Sequence, residues 1–173
     1  PIGERGVVQG PWEAFRTPPK LHSLLPDPTN RYLFGMCCDA DVVWRHEFDA
    51  VTGIVNPDAL PPIGVLRKAG PRHFKFHPNN RFMYLVNEYD GAVYTFRYDP
   101  RNASLHELQI LPSAPPDFDM TKHTRTSDVH FTPDGKWLYV AVRNSATIAA
   151  YSCDPTTGLL TQAGHFPTST GPR

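Results

Sequence analysis

Apolar and polar residues alternate in short runs along this chain, and proline or glycine interrupts them every few positions. Tyr32-Leu33-Phe34, Phe82-Met83-Tyr84-Leu85-Val86 and Trp137-Leu138-Tyr139-Val140-Ala141-Val142 are typical runs, rich in aromatic and β-branched residues. They are too short for helices, and no stretch sustains a 3.6-residue period. The pattern predicts an all-β protein built from many short strands.

The runs recur. Pro28-Thr29-Asn30-Arg31-Tyr32-Leu33-Phe34, Pro78-Asn79-Asn80-Arg81-Phe82-Met83-Tyr84 and Pro133-Asp134-Gly135-Lys136-Trp137-Leu138-Tyr139 align without a gap. In the same register follow Val43, Val93 and Ile148, then Asp49, Asp99 and Asp154, then Gly53, Ala103 and Gly158. A unit of about 50 residues in this order suits one four-stranded propeller blade. One strand precedes the proline and a Pro-Asp-Gly-like turn opens a second. A Val-Tyr-Thr-Phe-Arg-Tyr type of segment forms the third, and a Thr-Gly-Leu turn leads to the fourth. The blade-like repeats fall at about 20–69, 70–125 and 126–170, within one partial domain spanning 1–173. Closed propellers need roughly 4–8 blades. The reading is therefore an incomplete β-propeller, about three blades of a larger ring. The terminal Gly171-Pro172-Arg173 repeats the Gly70-Pro71-Arg72 signal and is expected to open a further blade.

Composition narrows the function classes. Seventeen basic residues balance seventeen acidic ones, which argues against a nucleic-acid or membrane-surface partner found by bulk charge. No apolar run reaches the roughly 18 residues of a membrane span. No charged segment leads into an apolar secretory core, so the expected compartment is the cytoplasm. Cys37, Cys38 and Cys153 fit no zinc spacing and are expected to be reduced, partly buried thiols. Asn102-Ala103-Ser104 is a glycosylation sequon by coincidence.

Two columns of the repeat depart from its apolar uniformity. Six residues before each anchor proline stand His22, Arg72 and Ser127, and ten after stand Cys38, Glu88 and Arg143. In a hairpin centred just past the proline, position six before lies opposite position nine or ten after. The polar members of neighbouring blades therefore meet on one rim, flanked by His73, His130 and Asn87. Such a cluster suits the handling of an anion. Taken singly, Arg72 and Glu88 read as a cross-strand ion pair, worth little if exposed. Taken singly, His22 and Arg143 read as rim and surface groups. His46, His77, His106, His123 and His165 are expected at the surface or in turns. Asp117, Asp119 and Asp128 match no calcium loop and read as loop caps or Asx-turns. No metal site is expected.

The segments His22-Ser23-Leu24-Leu25-Pro26-Asp27-Pro28, Gly70-Pro71-Arg72-His73-Phe74-Lys75-Phe76-His77-Pro78-Asn79, Val86-Asn87-Glu88 and Asp128-Val129-His130-Phe131-Thr132-Pro133-Asp134-Gly135-Lys136-Trp137-Leu138-Tyr139 resemble the seven-bladed propeller lactonase family. That family holds bacterial 6-phosphogluconolactonases of the propeller type and fungal carboxy-cis,cis-muconate cyclases. The resemblance runs from about residue 20 to 173. It implies a seven-bladed ring of which this chain supplies the central three blades, and a site in the central cleft at His22, Arg72, Glu88 and Arg143. Two segments depart from the family pattern. Val142-Arg143-Asn144 stands where Asn-Arg-Gly is frequent, and Cys37-Cys38-Asp39 replaces a Leu-Gly-like segment.

The activity so implied is hydrolysis of a sugar lactone without cofactor, foremost 6-phospho-D-glucono-1,5-lactone to 6-phosphogluconate in the pentose phosphate pathway. Glu88 or His22 would act as general base. Arg72 and Arg143 would hold the anion and the developing oxyanion. His73 and His130 would orient the substrate, with Asn87 beside them. The alternatives are a muconate lactonising cyclase, a non-catalytic propeller scaffold, or an inactive fragment whose exposed blade edges self-associate.

Overall fold

The computed structural model describes residues 16–56, 60–65, 68–119 and 125–172. Among them there is no helix. Twelve strands follow in chain order: β1 (Leu21–Pro26), β2 (Tyr32–Cys37), β3 (Val42–Glu47), β4 (Leu60–Gly64), β5 (Pro71–Phe76), β6 (Phe82–Asn87), β7 (Ala92–Asp99), β8 (Ser104–Pro112), β9 (Thr126–Phe131), β10 (Trp137–Val142), β11 (Thr147–Cys153) and β12 (Leu160–Pro167). They form three four-stranded antiparallel meanders, β1–β4, β5–β8 and β9–β12. The sheets stack face to face, and β1, β5 and β9 run side by side through the stack.

The turns explain why the repeat keeps its register. Left-handed backbone recurs at Asn30, Asn80 and Gly135, at Asp41, Gly91 and Ala146, and at Gly53, Ala103 and Gly158. These are the residue types that tolerate or accept such turns, with alanine the exception. The residue before each anchor proline closes the first hairpin. Asp27 accepts the amides of Thr29, Arg31 and Tyr32. His77 Nδ1 accepts the Asn79 amide, and Thr132 Oγ1 accepts the Trp137 amide. His77 thus has the turn role expected of it, but not a surface one. It is 3% exposed, wedged against Phe131 of the next sheet. His46 is a second correction: it is buried, its ring lies over Trp44, and its Nδ1 bonds the Asn56 carbonyl at 2.6 Å. His106 is exposed, and His123 lies outside the described residues. The three cysteines are free and buried throughout, not merely in part.

The core sits between sheets. Tyr32, Phe34 and Met36 of β2 pack against Phe74, Met83, Leu85 and Tyr94. On the far side of the middle sheet, Phe82, Tyr84 and Val86 pack against Val129, Leu138, Val140 and Tyr151. Every residue of β6 is buried because both its faces are covered. The third sheet differs. Trp137 and Tyr139 are each 39% exposed, whereas their repeat counterparts Phe82 and Tyr84 are at 1% and 0%. Among the described residues nothing covers that face.

Gly158 shows how closely the sheets approach. A Cβ there would lie 2.5 Å from the Phe82 ring, and its carbonyl accepts the Tyr84 hydroxyl at 2.7 Å. Its φ is +80°, close to the +75° of Gly53. Ala103 shows that the conformation alone admits a methyl group. Gly158→Ala adds a clash with a buried ring, so it should destabilise by roughly 2–4 kcal/mol. A thermal melt unchanged by the substitution would contradict this packing.

Candidate active site

One irregularity, repeated three times, builds the site. The β1–β2 pairing skips His22, between Leu21↔Cys37 and Ser23↔Met36. The β5–β6 pairing skips Arg72, between Pro71↔Asn87 and His73↔Val86. The β9–β10 pairing skips Ser127, between Thr126↔Val142 and Asp128↔Ala141. Each is a bulge residue, freed from the ladder and re-aimed. The expected register therefore needs correction: position six before the proline opposes nothing. Two residues earlier, Lys20, Gly70 and Arg125 have left-handed backbone. Their carbonyls accept the amides of Cys38, Glu88 and Arg143. The two polar columns meet, but through a bulge and a bent edge rather than as opposed partners.

Arg72, Glu88 and Arg143 form a knot. Arg72 Nε donates to Glu88 Oε2 at 3.2 Å, and Arg143 Nη2 donates to Oε1 at 2.9 Å. Their side chains are only 11%, 8% and 15% exposed, so the pairing is no surface ion pair. Backbone carbonyls complete the clamp: Ser127 accepts from Arg72 Nη1, and Arg125 from Arg143 Nε at 2.8 Å. The remaining terminal nitrogen of each guanidinium has no hydrogen-bond partner among the described residues. Burial alone would raise the Glu88 carboxyl. The hydrogen bond and charge of Arg143, with the charges of Lys20 and Arg72, outweigh it and hold Glu88 below its ordinary value. Behind the knot, the Cys38 thiol lies 3.8 Å from Glu88 Oε2. Burial pushes that thiol up, so it stays protonated at neutral pH.

The histidines lie beside the knot, on the wall formed by β1, β5 and β9. His22, His73, Asp128 and His130 line a cavity of about 380 Å³ together with Lys75. The rings of His22 and His73 meet edge to face at 5.0 Å. Burial lowers the His22 pKa, and the charge of Arg72 lowers it further, so His22 is neutral at pH 7. Its Nδ1 is buried without a partner. Asp128, expected to be a loop cap, instead lies within β9 and bridges two histidines: Oδ1 to His73 Nδ1 at 2.8 Å and Oδ2 to His130 Nε2 at 2.9 Å. The signal was an acidic residue two positions before His130, on the same strand face. Asn87 is displaced from the expected set. It is fully buried and its amide reaches Asp90 at 3.3 Å, so it braces the turn behind Glu88. Among the described residues no group of three potential ligands could hold a metal ion.

Burial would raise the Asp128 carboxyl, but its hydrogen bonds from His73, His130 and the Val129 amide bring it down to about 2. A depressed folded-state value stabilises the protein above the ordinary carboxylate range, and the benefit is lost as pH falls through about 2. The shift from 3.8 corresponds to roughly 2 kcal/mol. The stability gap between wild type and Asp128→Asn should accordingly narrow from pH 5 to pH 2, as read from urea midpoints. A gap that stays constant over this range would contradict the bridge.

The propeller topology, the histidine wall and the arginine knot meet one sequence profile: lactonase, seven-bladed β-propeller, over residues 5–173. The chain belongs to this family. It is 34% identical over its whole length to a 6-phosphogluconolactonase of Pectobacterium carotovorum, and equally so to one of Yersinia pestis. The chain spans 51% of the length of each of these relatives. Among solved structures it superposes on a Bacteroides uniformis protein, provisionally assigned as a 6-phosphogluconolactonase, with a TM-score of 0.83 and 28% identity. That match covers the whole chain and 52% of the other. A periplasmic gluconolactonase of Pseudomonas aeruginosa gives 0.79 and 28%, over 88% of this chain and 42% of the other. In lactonase terms the three sheets are blades, and β1, β5 and β9 are their inner strands. No helix among the described residues is long and apolar enough to cross a membrane.

Proposed function

We propose that the lactonase site of this chain hydrolyses a sugar lactone, with 6-phospho-D-glucono-1,5-lactone as the preferred substrate. The observation that carries the reading is the Glu88 carboxylate bridging Arg72 and Arg143, from two different blades, with the charges of Arg72 and Glu88 acting on His22 of the histidine wall. Glu88 preorganises the two guanidiniums. Their remaining nitrogens bind the substrate's anionic group and the oxygen that gains charge in the transition state.

With both oxygens engaged and its pKa depressed, Glu88 is a poor proton acceptor. His22, neutral at pH 7, fits the base better. Water oxygen bonds to the lactone carbonyl carbon while His22 takes the water proton. The tetrahedral intermediate collapses, the bond to the ring oxygen breaks, and that oxygen takes a proton as the alcohol. The product is the open hydroxy acid, and the base returns to its neutral form. His73 and His130 orient the ring. No cofactor enters this reaction, and its place is the cytoplasm, which cell fractionation would check against a periplasmic location.

The test is lactone consumption above the spontaneous rate, for the phosphorylated and unphosphorylated lactones, on folded protein of known mass. Equal rates with and without protein would overturn the proposal. Lactonising activity on a carboxymuconate, in place of hydrolysis, would assign the site to the cyclase branch.

A further inference from the structure

Asp128 has a consequence beyond holding two rings in place. Its carboxyl lies near the bottom of the carboxylate range, so around neutral pH both oxygens only accept hydrogen bonds. Each histidine on it must therefore donate. His73 carries a hydrogen on Nδ1 and donates to Oδ1, which also accepts the Val129 amide. His130 carries one on Nε2 and donates to Oδ2. A neutral imidazole has one donor and one acceptor nitrogen. In the neutral form of each ring the other nitrogens, His73 Nε2 and His130 Nδ1, are then both acceptors. Neither has a hydrogen-bond partner among the described residues, and both rings line the same cavity.

We infer that Asp128 is a specificity-determining positioning residue that turns His73 and His130 into a pair of hydrogen-bond acceptors for the hydroxyl groups of a polyol ligand. A bare imidazole pair would serve donors and acceptors alike. One shared carboxylate removes that freedom from both rings at once. A chain of hydroxyls offers the donors that such a wall requires, and a dicarboxylate without hydroxyls offers none. The inference rests on the lactonase reading for its choice of ligand and deepens it: the wall selects a polyhydroxylated acid or its lactone.

The first measurement is the histidine tautomers at pH 8, above the ordinary histidine range, by long-range proton–nitrogen-15 correlation. The expected result is hydrogen on Nδ1 of His73 and on Nε2 of His130. Asp128→Asn presents one acceptor and one donor, so one of the two rings should switch tautomer. The opposite assignment in the wild type, or no switch in the variant, overturns the inference.

The second measurement compares gluconate with hexanoate, which keeps the carboxylate and chain length but lacks hydroxyls. Gluconate should bind about tenfold or more tighter, since each well-made hydrogen bond adds a modest net gain. Asp128→Asn should bring the two to near parity. His130→Ala, at a ring whose side chain is 62% exposed and therefore tolerant of truncation, should narrow the ratio as well. Undetectable gluconate binding, or a ratio that survives Asp128→Asn, overturns the inference. A wild-type preference for gluconate that Asp128→Asn removes, without lactone hydrolysis, would instead sink the lactonase reading and leave this one standing.

Discussion

Glu88→Ala is expected to destabilise the protein by about 3–5 kcal/mol and to abolish lactone hydrolysis. Removing one partner of a buried ionic group leaves the others uncompensated, and here two guanidiniums would be left. Arg72 and Arg143 are 11% and 15% exposed, too little for water to replace the carboxylate in place. The residual exposure lets them swing outward, which sets the loss nearer the lower figure. Glu88→Gln keeps the shape, removes the charge and should fall between. The informative control is Glu88→Ala with Arg72→Ala, which relieves one stranded cation and should recover part of the loss. Urea midpoints on the four proteins suffice. A Glu88→Ala protein within about 1 kcal/mol of wild type, the scale of an exposed pair, would show that the knot does not exist in solution.

Arg72→Ala should separate activity from stability. The substitution leaves Glu88 paired with Arg143 at 2.9 Å and forfeits the bonds to Glu88 and to the Ser127 carbonyl. The expected loss of stability is about 1–3 kcal/mol. Turnover of the phosphorylated lactone should fall by roughly 10²–10³, the usual effect of removing a donor from a developing oxyanion. Arg72→Lys should recover little, because an ammonium lacks the planar fork that spans Glu88 and Ser127 together. Comparison with the unphosphorylated lactone locates the effect. A loss confined to the phosphorylated substrate places Arg72 on the phosphate, and an equal loss on both places it on the reacting carbonyl. Turnover reduced no further than the folded fraction would remove Arg72 from the site.

The strand order was legible because each blade repeats its turn chemistry. Asn30, Asn80 and Gly135 occupy one left-handed position, and the residues before Pro28, Pro78 and Pro133 close it. The polar columns were legible because they break an otherwise apolar register. What periodicity could not show is the bulge: an extra residue in the ladder leaves the two-residue alternation intact on either side of it. His22 and Arg72 were therefore given opposed partners in a ladder that skips them. His77 was misread because a turn-closing residue is ordinarily solvated, whereas here Phe131 of the next blade covers it. His46 was misread for a similar reason, since Trp44 covers a ring that alternation alone leaves ambiguous. Asp128 was misread because its partner His73 lies 55 residues away, and that distance closes only when the inner strands meet.

The bulge has an evolutionary consequence. His22, Arg72 and Ser127 are skipped by the ladder, so exchanging one for another leaves strand pairing untouched. Each blade thus offers a single socket in which side-chain chemistry can change without altering the register of the strands. Because the sockets sit at one rim, a few independent exchanges rewrite the combination presented to a ligand. Divergence of substrate within such a lineage can then begin at these positions without loop insertion.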